Sequence, residues 1–99
     1  MAWARRTWLP GLVFLVLAGR ALAAGPAPLA AGGCVGCHGP LGTGSPPIPA
    51  IAGRPADEII AAMRAFAAQG RPNTIMGRIA LGYSDAEIAA IAAWFSAQR

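Results

Sequence analysis

Both cysteines and the single histidine of this 99-residue chain lie within five consecutive positions, Cys34-Val35-Gly36-Cys37-His38. No other feature constrains the fold as strongly, because these three side chains must serve one local purpose. Two thiols at this spacing can add to the two vinyl groups of one haem, and the adjoining imidazole can bind the iron. The motif therefore predicts one haem c, attached through Cys34 and Cys37, with His38 as an iron ligand.

Three other uses of the same cysteines stay open. A structural zinc site needs about four ligands, and the chain has no further cysteine or histidine. A thioredoxin-like dithiol is expected beside a βαβ unit, which the sequence pattern does not show. A disulfide between Cys34 and Cys37 would close only a very short loop. Each of these accounts for the motif less well than haem does.

The segment before the motif has the pattern of an export signal. A basic pair, Arg5-Arg6, precedes an apolar stretch at positions 11–18, and the small residues at 21–23 suit a signal peptidase. The apolar stretch is well short of the roughly 20 residues that cross a bilayer. We expect residues 1–24 to be a cleaved signal and residues 25–99 to be a periplasmic domain that carries the haem. An uncleaved anchor and twin-arginine export stay open as alternatives.

Removing the signal also changes the charge balance. The formal net charge of +4 includes arginines at positions 5, 6 and 20, so the remaining five arginines face four acids. The resulting net charge of +1 gives no reason to expect nucleic acid or a membrane surface as a partner. A domain of about 75 residues buries too little surface for a self-sufficient core. A large apolar cofactor at the centre would add the buried apolar surface that so small a domain lacks.

Proline and glycine divide the rest of the chain into segments. Residues 29–33 fit one helical turn, and the proline- and glycine-rich stretch 39–54 must be extended or turning. A middle helix is predicted to begin at Pro55, which suits a first helical turn, and to stop at Gly70. Residues 71–83 are expected to be irregular.

The last helix carries the clearest signals. Ser84-Asp85-Ala86-Glu87 is a capping box, in which the serine and glutamate side chains satisfy each other's free amides. One apolar stripe follows, made of Ile88, Ile91, Ala92 and Phe95. No alternating β pattern is present. The predicted fold class is therefore all-α, with short helices around one covalently bound haem.

A haem held by His38 leaves a sixth coordination position on the iron. A methionine thioether there would favour the reduced iron and raise the potential, as in His/Met cytochromes. Met1 leaves with the signal. Met63 lies on the apolar stripe of the middle helix, with Ile59 and Phe66 at helical spacing, and is expected in the core. Met76 lies in the irregular stretch, where a loop can bring its side chain over the haem. Met76 is therefore the predicted ligand.

The order of haem motif, proline-rich loop, middle helix, methionine segment and aromatic last helix resembles the class I cytochrome c family. The likeness extends from about residue 29 to residue 99. It implies that the first and last helices cross. It also implies that the Pro49 carbonyl accepts a hydrogen bond from His38, a contact that orients a ligating histidine. Pro46 and Pro47 are rival candidates for that role.

Two further expectations follow from the same resemblance. Ile51 would pack on the haem, and Trp94 or Phe95 would meet the first helix. Family members often carry an aromatic residue four positions before the first cysteine, where this chain has Ala30. Trp94 is expected to fill the space that Ala30 leaves.

Three segments, 48–53, 74–80 and 82–88, are similar to the cytochrome subunit of flavocytochrome c sulfide dehydrogenase. That resemblance implies an electron-transfer protein, not an enzyme by itself, that accepts single electrons from a sulfide-oxidising flavoprotein. A free soluble shuttle between periplasmic or membrane redox complexes is the alternative. A catalytic or gas-sensing haem protein is a third possibility, and it requires Met76 to be absent from the iron.

The absence of lysine limits how such a protein can recognise a partner. Arg54, Arg71 and Arg78 are the only cations that the sequence places near the expected haem edge. We therefore expect docking to rely on apolar contacts and to depend weakly on salt.

Overall fold

The computed structural model describes Gly11 and residues 25–69 and 74–99. The predicted export signal therefore lies outside the described residues, apart from Gly11, and stays a prediction. Gly70 and Arg71 lie outside them as well. None of the helices in the described ranges has the length and hydrophobicity that a membrane span requires.

Within those ranges the chain forms four α-helices and contains no strand, which confirms the all-α class. Two short 3-10 turns accompany them, Leu29–Ala31 before the first helix and Ala80–Gly82 after the third. The helices are α1 (Gly32–His38), α2 (Ala56–Ala67), α3 (Ile75–Ile79) and α4 (Asp85–Ser96).

Helix α1 carries the whole haem motif, so the helical turn predicted for residues 29–33 is longer than expected. Its glycines lower the intrinsic helix propensity, which is why the sequence pattern ended it early. Packing compensates, since Ala31, Cys34 and His38 are all buried. Gly39, with a φ of 91°, ends the helix.

Residues 39–54 form the predicted irregular loop, which backbone hydrogen bonds hold in place. The Gly44 N–H donates to the His38 carbonyl at 2.7 Å, and Ser45 and Ile48 exchange N–H···O bonds of 3.0 and 2.8 Å. At the far end, the Gly53 N–H donates to the Phe95 carbonyl at 2.9 Å. The loop is thereby tied to α1 at its start and to α4 at its end.

Helices α2 and α4 make the main packing contact of the fold. Asp57 and Glu58 lie in the first turn of α2, where carboxylates are favourable. This helix ends at Ala67, three residues before the predicted stop at Gly70. Gln69 adopts the left-handed conformation with a φ of 56°, which is the role that glycine often has after a helix.

The capping box and the apolar stripe predicted for α4 are both confirmed. The Glu87 N–H donates to Ser84 Oγ at 3.1 Å, and the Ser84 N–H donates to Glu87 Oε1 at 3.0 Å. All members of the predicted stripe are buried in one apolar core, together with residues from the first turn, α1, α2 and the segment after α3. That core consists of Ala31, Cys34, Ile59, Met63, Ala80, Ile88, Ile91, Ala92 and Phe95.

The prediction that residues 71–83 are irregular is wrong for residues 75–82. Helix α3 and the following 3-10 turn occupy that part, and Met76 lies in the first turn of α3 rather than in a loop. A helix of one turn carries almost no periodicity and is not stable alone. It forms because it packs on α2, with Gly77 close to the Phe66 carbonyl.

The last helix reaches the start of the domain as the family resemblance implies. Helix α4 contacts the Leu29–Ala31 turn that precedes α1. The Trp94 indole N–H donates to the Gly25 carbonyl at 2.8 Å. The Trp94 and Phe95 rings meet edge to face, with centroids 4.9 Å apart. Trp94 therefore contacts the segment that leads into α1, in which this chain has Ala30 instead of an aromatic residue.

Candidate haem site

A cavity of about 490 Å³ opens between α1, the irregular loop, α2, α3 and α4. It brings together all six site residues predicted from the sequence, which are Cys34, Cys37, His38, Pro49, Ile51 and Met76. Its other lining residues are mostly apolar and come chiefly from the loop and from α2. They are Pro47, Ile48, Arg54, Glu58, Ile59, Ala62, Met63, Phe66, Thr74, Ile75 and Ile91.

His38 is buried at the end of α1 and is oriented by the loop. Its Nδ1 lies 2.8 Å from the carbonyl oxygen of Pro49, so the hydrogen bond forms at Pro49 and not at the rival prolines. A carbonyl only accepts hydrogen bonds, so Nδ1 must carry the hydrogen. The lone pair then lies on Nε2, which is the nitrogen left to bind a metal.

The Pro49 carbonyl is placed by a loop that folds tightly on itself. Gly44, with a φ of +70°, lies against the backbone of residues 48–50. A Cβ at Gly44 would be 2.7 Å from Ile48 O, Pro49 C and Ala50 N. Only glycine combines this conformation with this approach. The geometry of His38 therefore depends on a backbone contact as well as on its own side chain.

The two cysteines project from α1 three residues apart, on neighbouring positions of one helix face. Cys34 is buried and Cys37 is exposed, and they do not form a disulfide with each other. Burial raises the pKa of the Cys34 thiol, and a hydrogen bond with the Tyr83 hydroxyl partly opposes that rise. The pair thus has one thiol inside the cavity wall and one at its rim.

Both internal methionines line the cavity. Met76 is half-buried on α3, and Met63 is buried on α2, where it belongs to the predicted core. Sequence reasoning missed that Met63 also faces the cavity. The signal was present, because Ile59, Met63 and Phe66 share one face of α2 and all three line the space. Apolar residues recur at the same helical spacing whether they face a core or a cavity, so the spacing alone did not distinguish the two.

The chemistry of the site fits haem c. Its wall is largely apolar, as a porphyrin requires, and it carries two thiols, an oriented imidazole and thioether sulfurs. Among the described residues, no group of three or more histidine, cysteine, aspartate or glutamate side chains is arranged to hold a metal ion directly. Cys34 and Cys37 would attach the haem, and His38 and Met76 would bind its iron.

Comparison with known proteins agrees with this site. Residues 20–95 match the family described as Cytochrome C oxidase, cbb3-type, subunit III. Over 62 residues the chain is 44% identical to the cytochrome subunit of sulfide dehydrogenase from Chlorobaculum tepidum, covering 63% of this chain and 56% of that protein.

Two other relatives are thiosulfate dehydrogenase electron acceptors. The protein from Stutzerimonas stutzeri is 40% identical over 64% of this chain and 31% of its own length. The protein from Thiomonas intermedia is 36% identical over 71% of this chain and 33% of its own length. The matched part of the chain thus spans between about a third and just over half of these relatives. The family match covers most of the chain, which therefore belongs to this family of c-type cytochromes and has haem c as its cofactor.

Proposed function

We propose that this protein is an exported carrier of single electrons and serves as the electron-accepting cytochrome of a sulfide-oxidising flavoprotein. The observation that carries the proposal is the convergence of His38 and Met76 on one apolar cavity. If both bind the iron, no coordination position remains for a substrate. The protein then relays electrons and is not an enzyme by itself.

The residues of the chain have separable roles in this function. Haem, when bound, supplies an iron centre that gains or loses one electron. The Pro49 carbonyl holds the His38 ring and raises the basicity of its free nitrogen. Ile51, Ile59 and the other apolar lining residues keep water away. A dry, rigid surrounding reorganises little when the charge changes, which favours fast transfer.

The ligand role of Met76 is tested against Met63, which lines the same cavity. Met76→Ala should lower the midpoint potential and allow the reduced protein to bind carbon monoxide. Met63→Ala should leave both properties unchanged and cost about 2–5 kcal/mol of unfolding free energy as a core truncation. An unchanged absorbance spectrum in Met76→Ala, or an open iron in Met63→Ala, would contradict the assignment.

The cavity mouth is the proposed docking surface for the flavoprotein. Cys37, Pro47 and Ile75 line the cavity and are also exposed, Ile75 by 71%. The charged lining residues Arg54 and Glu58 offset each other. Association with the partner should therefore change little as the salt concentration rises. A steep fall in affinity with salt would contradict apolar docking.

The partner itself is identified by native size-exclusion chromatography of extracts from the source cells, with haem and flavin absorbance recorded together. Co-elution of both, followed by haem reduction on anaerobic addition of sulfide, supports the proposal. The second candidate is an electron acceptor of thiosulfate dehydrogenase, which two of the relatives favour. Reduction by thiosulfate and not by sulfide would select it. Haem eluting alone as a small monomer would select the free shuttle.

Export to the periplasm is proposed from the signal pattern at residues 1–24. N-terminal sequencing of the mature protein should start at Ala24 or Gly25. A chain that still begins with the basic segment would instead show an anchor.

A further inference from the structure

The Tyr83 side chain contacts the haem site from outside the cavity. Its hydroxyl forms a hydrogen bond with the Cys34 sulfur. Cys34 lines the cavity, whereas Tyr83 does not. The hydroxyl therefore approaches the sulfur from the side away from the haem space, and a haem attached there need not displace it. Cys37, the second attachment residue, is exposed, so the two sulfurs have different surroundings.

The position of Tyr83 is fixed by the elements on both sides of it. It directly follows the 3-10 turn Ala80–Gly82, and its N–H donates to the Ala80 carbonyl at 3.4 Å. The next residue, Ser84, begins α4 through its capping box. The half-buried Tyr83 side chain also packs against the apolar core. A side chain positioned in this way loses little freedom when its hydroxyl makes a hydrogen bond.

Gly33, the residue before Cys34, leaves room for the hydroxyl. A Cβ at Gly33 would collide with the Tyr83 hydroxyl. Gly33 lies within α1, in a helical conformation that any residue adopts, so its backbone does not require glycine. Glycine also weakens a helix relative to alanine. The close approach of the Tyr83 hydroxyl therefore explains why glycine occupies this position.

The chemistry of haem attachment sets the direction of this hydrogen bond. When the Cys34 thiol adds across a vinyl group, its hydrogen goes to the outer vinyl carbon, and the resulting thioether sulfur can only accept. A tyrosine hydroxyl carries its proton near neutral pH, and burial raises the pKa of Tyr83 further. The Tyr83 O–H is therefore the donor and the Cys34 sulfur is the acceptor.

We propose that Tyr83 is a positioning residue, whose hydroxyl donates to the Cys34 thioether sulfur, fixes that attachment point of the haem and raises the midpoint potential. The sulfur lies one saturated carbon from the porphyrin ring, and the donor turns the positive end of its dipole toward it. That dipole stabilises the electron added on reduction. The proposal rests on haem attachment through Cys34 and not on the redox partner. It can fail while the proposed electron-acceptor function stands, and the reverse.

The first test is the midpoint potential of the purified haem protein, without a partner. Tyr83→Phe removes only the hydroxyl and should lower the equilibrium constant for reduction about two- to threefold, a fraction of the strength of one hydrogen bond. At 59 mV per tenfold, this is a fall of roughly 20–30 mV. Ser84→Ala is the matched control, because it removes the adjacent hydroxyl, which caps α4, and should leave the potential unchanged. Equal falls in both variants would overturn the proposal, since a loosened start of α4 would explain them.

The C–S stretching bands of the two thioethers in the resonance Raman spectrum give a second readout, which a role in packing alone would not move. Tyr83→Phe should shift the band of the Cys34 thioether, because its sulfur loses the hydrogen bond. The band of the Cys37 thioether should stay in place and serves as a control within the same molecule. Two unchanged bands would overturn the proposal.

Gly33→Ala tests the same hydrogen bond without removing the hydroxyl. The added methyl group should push the Tyr83 hydroxyl away from the Cys34 sulfur, so the potential should fall about as far as in Tyr83→Phe. In the Tyr83→Phe background, the same substitution should lower the potential no further. Additive falls would overturn the proposal, because they would show that the two residues affect the potential independently.

Discussion

Two parts of the site are built in different ways. The attachment segment, residues 32–54, consists of α1 and the loop that positions His38. The helical pair, α2 and α4, forms most of the core and one wall of the cavity. The attachment segment is shaped by backbone hydrogen bonds and by glycines in close contact. The helical pair is held by interlocking apolar side chains and a capping box.

The difference teaches where a substitution acts. In the helical pair, a change of volume at a side chain that does not line the cavity should alter stability and leave the iron site as it was. In the attachment segment, a single added methyl group should alter the geometry around His38 as well as the stability. Unfolding free energy in guanidinium and midpoint potential, measured on the same variants, test this separation.

The largest loss of stability is expected from Phe95→Ala in α4. Phe95 is fully buried at 0% exposure, and truncating a buried phenylalanine costs about 3–5 kcal/mol. Phe95 is absent from the cavity lining, so the potential of the folded protein should stay nearly constant. Leu29→Ala is the control, because Leu29 is 98% exposed. A comparable loss in the control would show that burial does not set the cost.

Gly44→Ala tests the attachment segment. The alanine would be strained at a φ of +70° and would clash with the backbone of residues 48–50, for a combined cost of about 2–4 kcal/mol. Relief of the clash must displace Pro49, so the potential should shift together with the stability. Gly82→Ala is the control, since a Cβ there meets nothing within 4 Å. A Gly44→Ala protein of unchanged potential would remove the proposed distinction.

A smaller effect is expected where the attachment segment meets the start of α4. A Cβ at Gly33 would collide with the Tyr83 hydroxyl, whereas the Tyr83 Cζ is 3.5 Å away. Gly33→Ala should therefore cost about 1–3 kcal/mol as an overpacked contact. The double variant with Tyr83→Phe should recover most of that loss, because the colliding oxygen is gone.

The control for this cycle is Gly32→Ala, where a Cβ meets nothing within 4 Å. It should be neutral or stabilising, since alanine favours a helix over glycine by up to about 1 kcal/mol. Additive losses in the double variant would show that the Tyr83 hydroxyl is not the obstacle.

The same two parts differ in how far the sequence predicted them. The capping box and stripe of α4 were readable because each depends on residues close together in the chain. The motif at Cys34–His38 was readable because its chemistry needs no other partner than the haem. The bond from His38 to Pro49 came only from the family resemblance. Even with that resemblance, Pro46 and Pro47 were rival candidates for the same role.

The errors have physical causes as well. Helix α1 was predicted too short because its glycines weaken a local signal that tertiary packing overrides. Helix α3 was missed because five residues carry no measurable period, and its stability comes from α2. The cavity-facing role of Met63 depends on which side of α2 meets the haem space. The stripe of Ile59, Met63 and Phe66 marks the buried face of α2, but it does not show whether that face meets other side chains or a cofactor.

The smallest effect is expected from Ser84→Ala, at the start of α4, where the helical pair lies next to Tyr83 and the attachment segment. The Ser84 hydroxyl accepts a hydrogen bond from the Glu87 N–H at 3.1 Å, and removal of such a cap typically costs about 1 kcal/mol. Ser96→Ala at the other end of α4 is the control, because the Ser96 side chain has no hydrogen bond among the described residues. Within α4, only Ile91 lines the cavity, two turns from the cap, so the potential should not change. If Ser84→Ala shifts the potential, the start of α4 is coupled to the iron site through neighbouring Tyr83. The two parts would then act as one unit, and stability alone could not describe either of them.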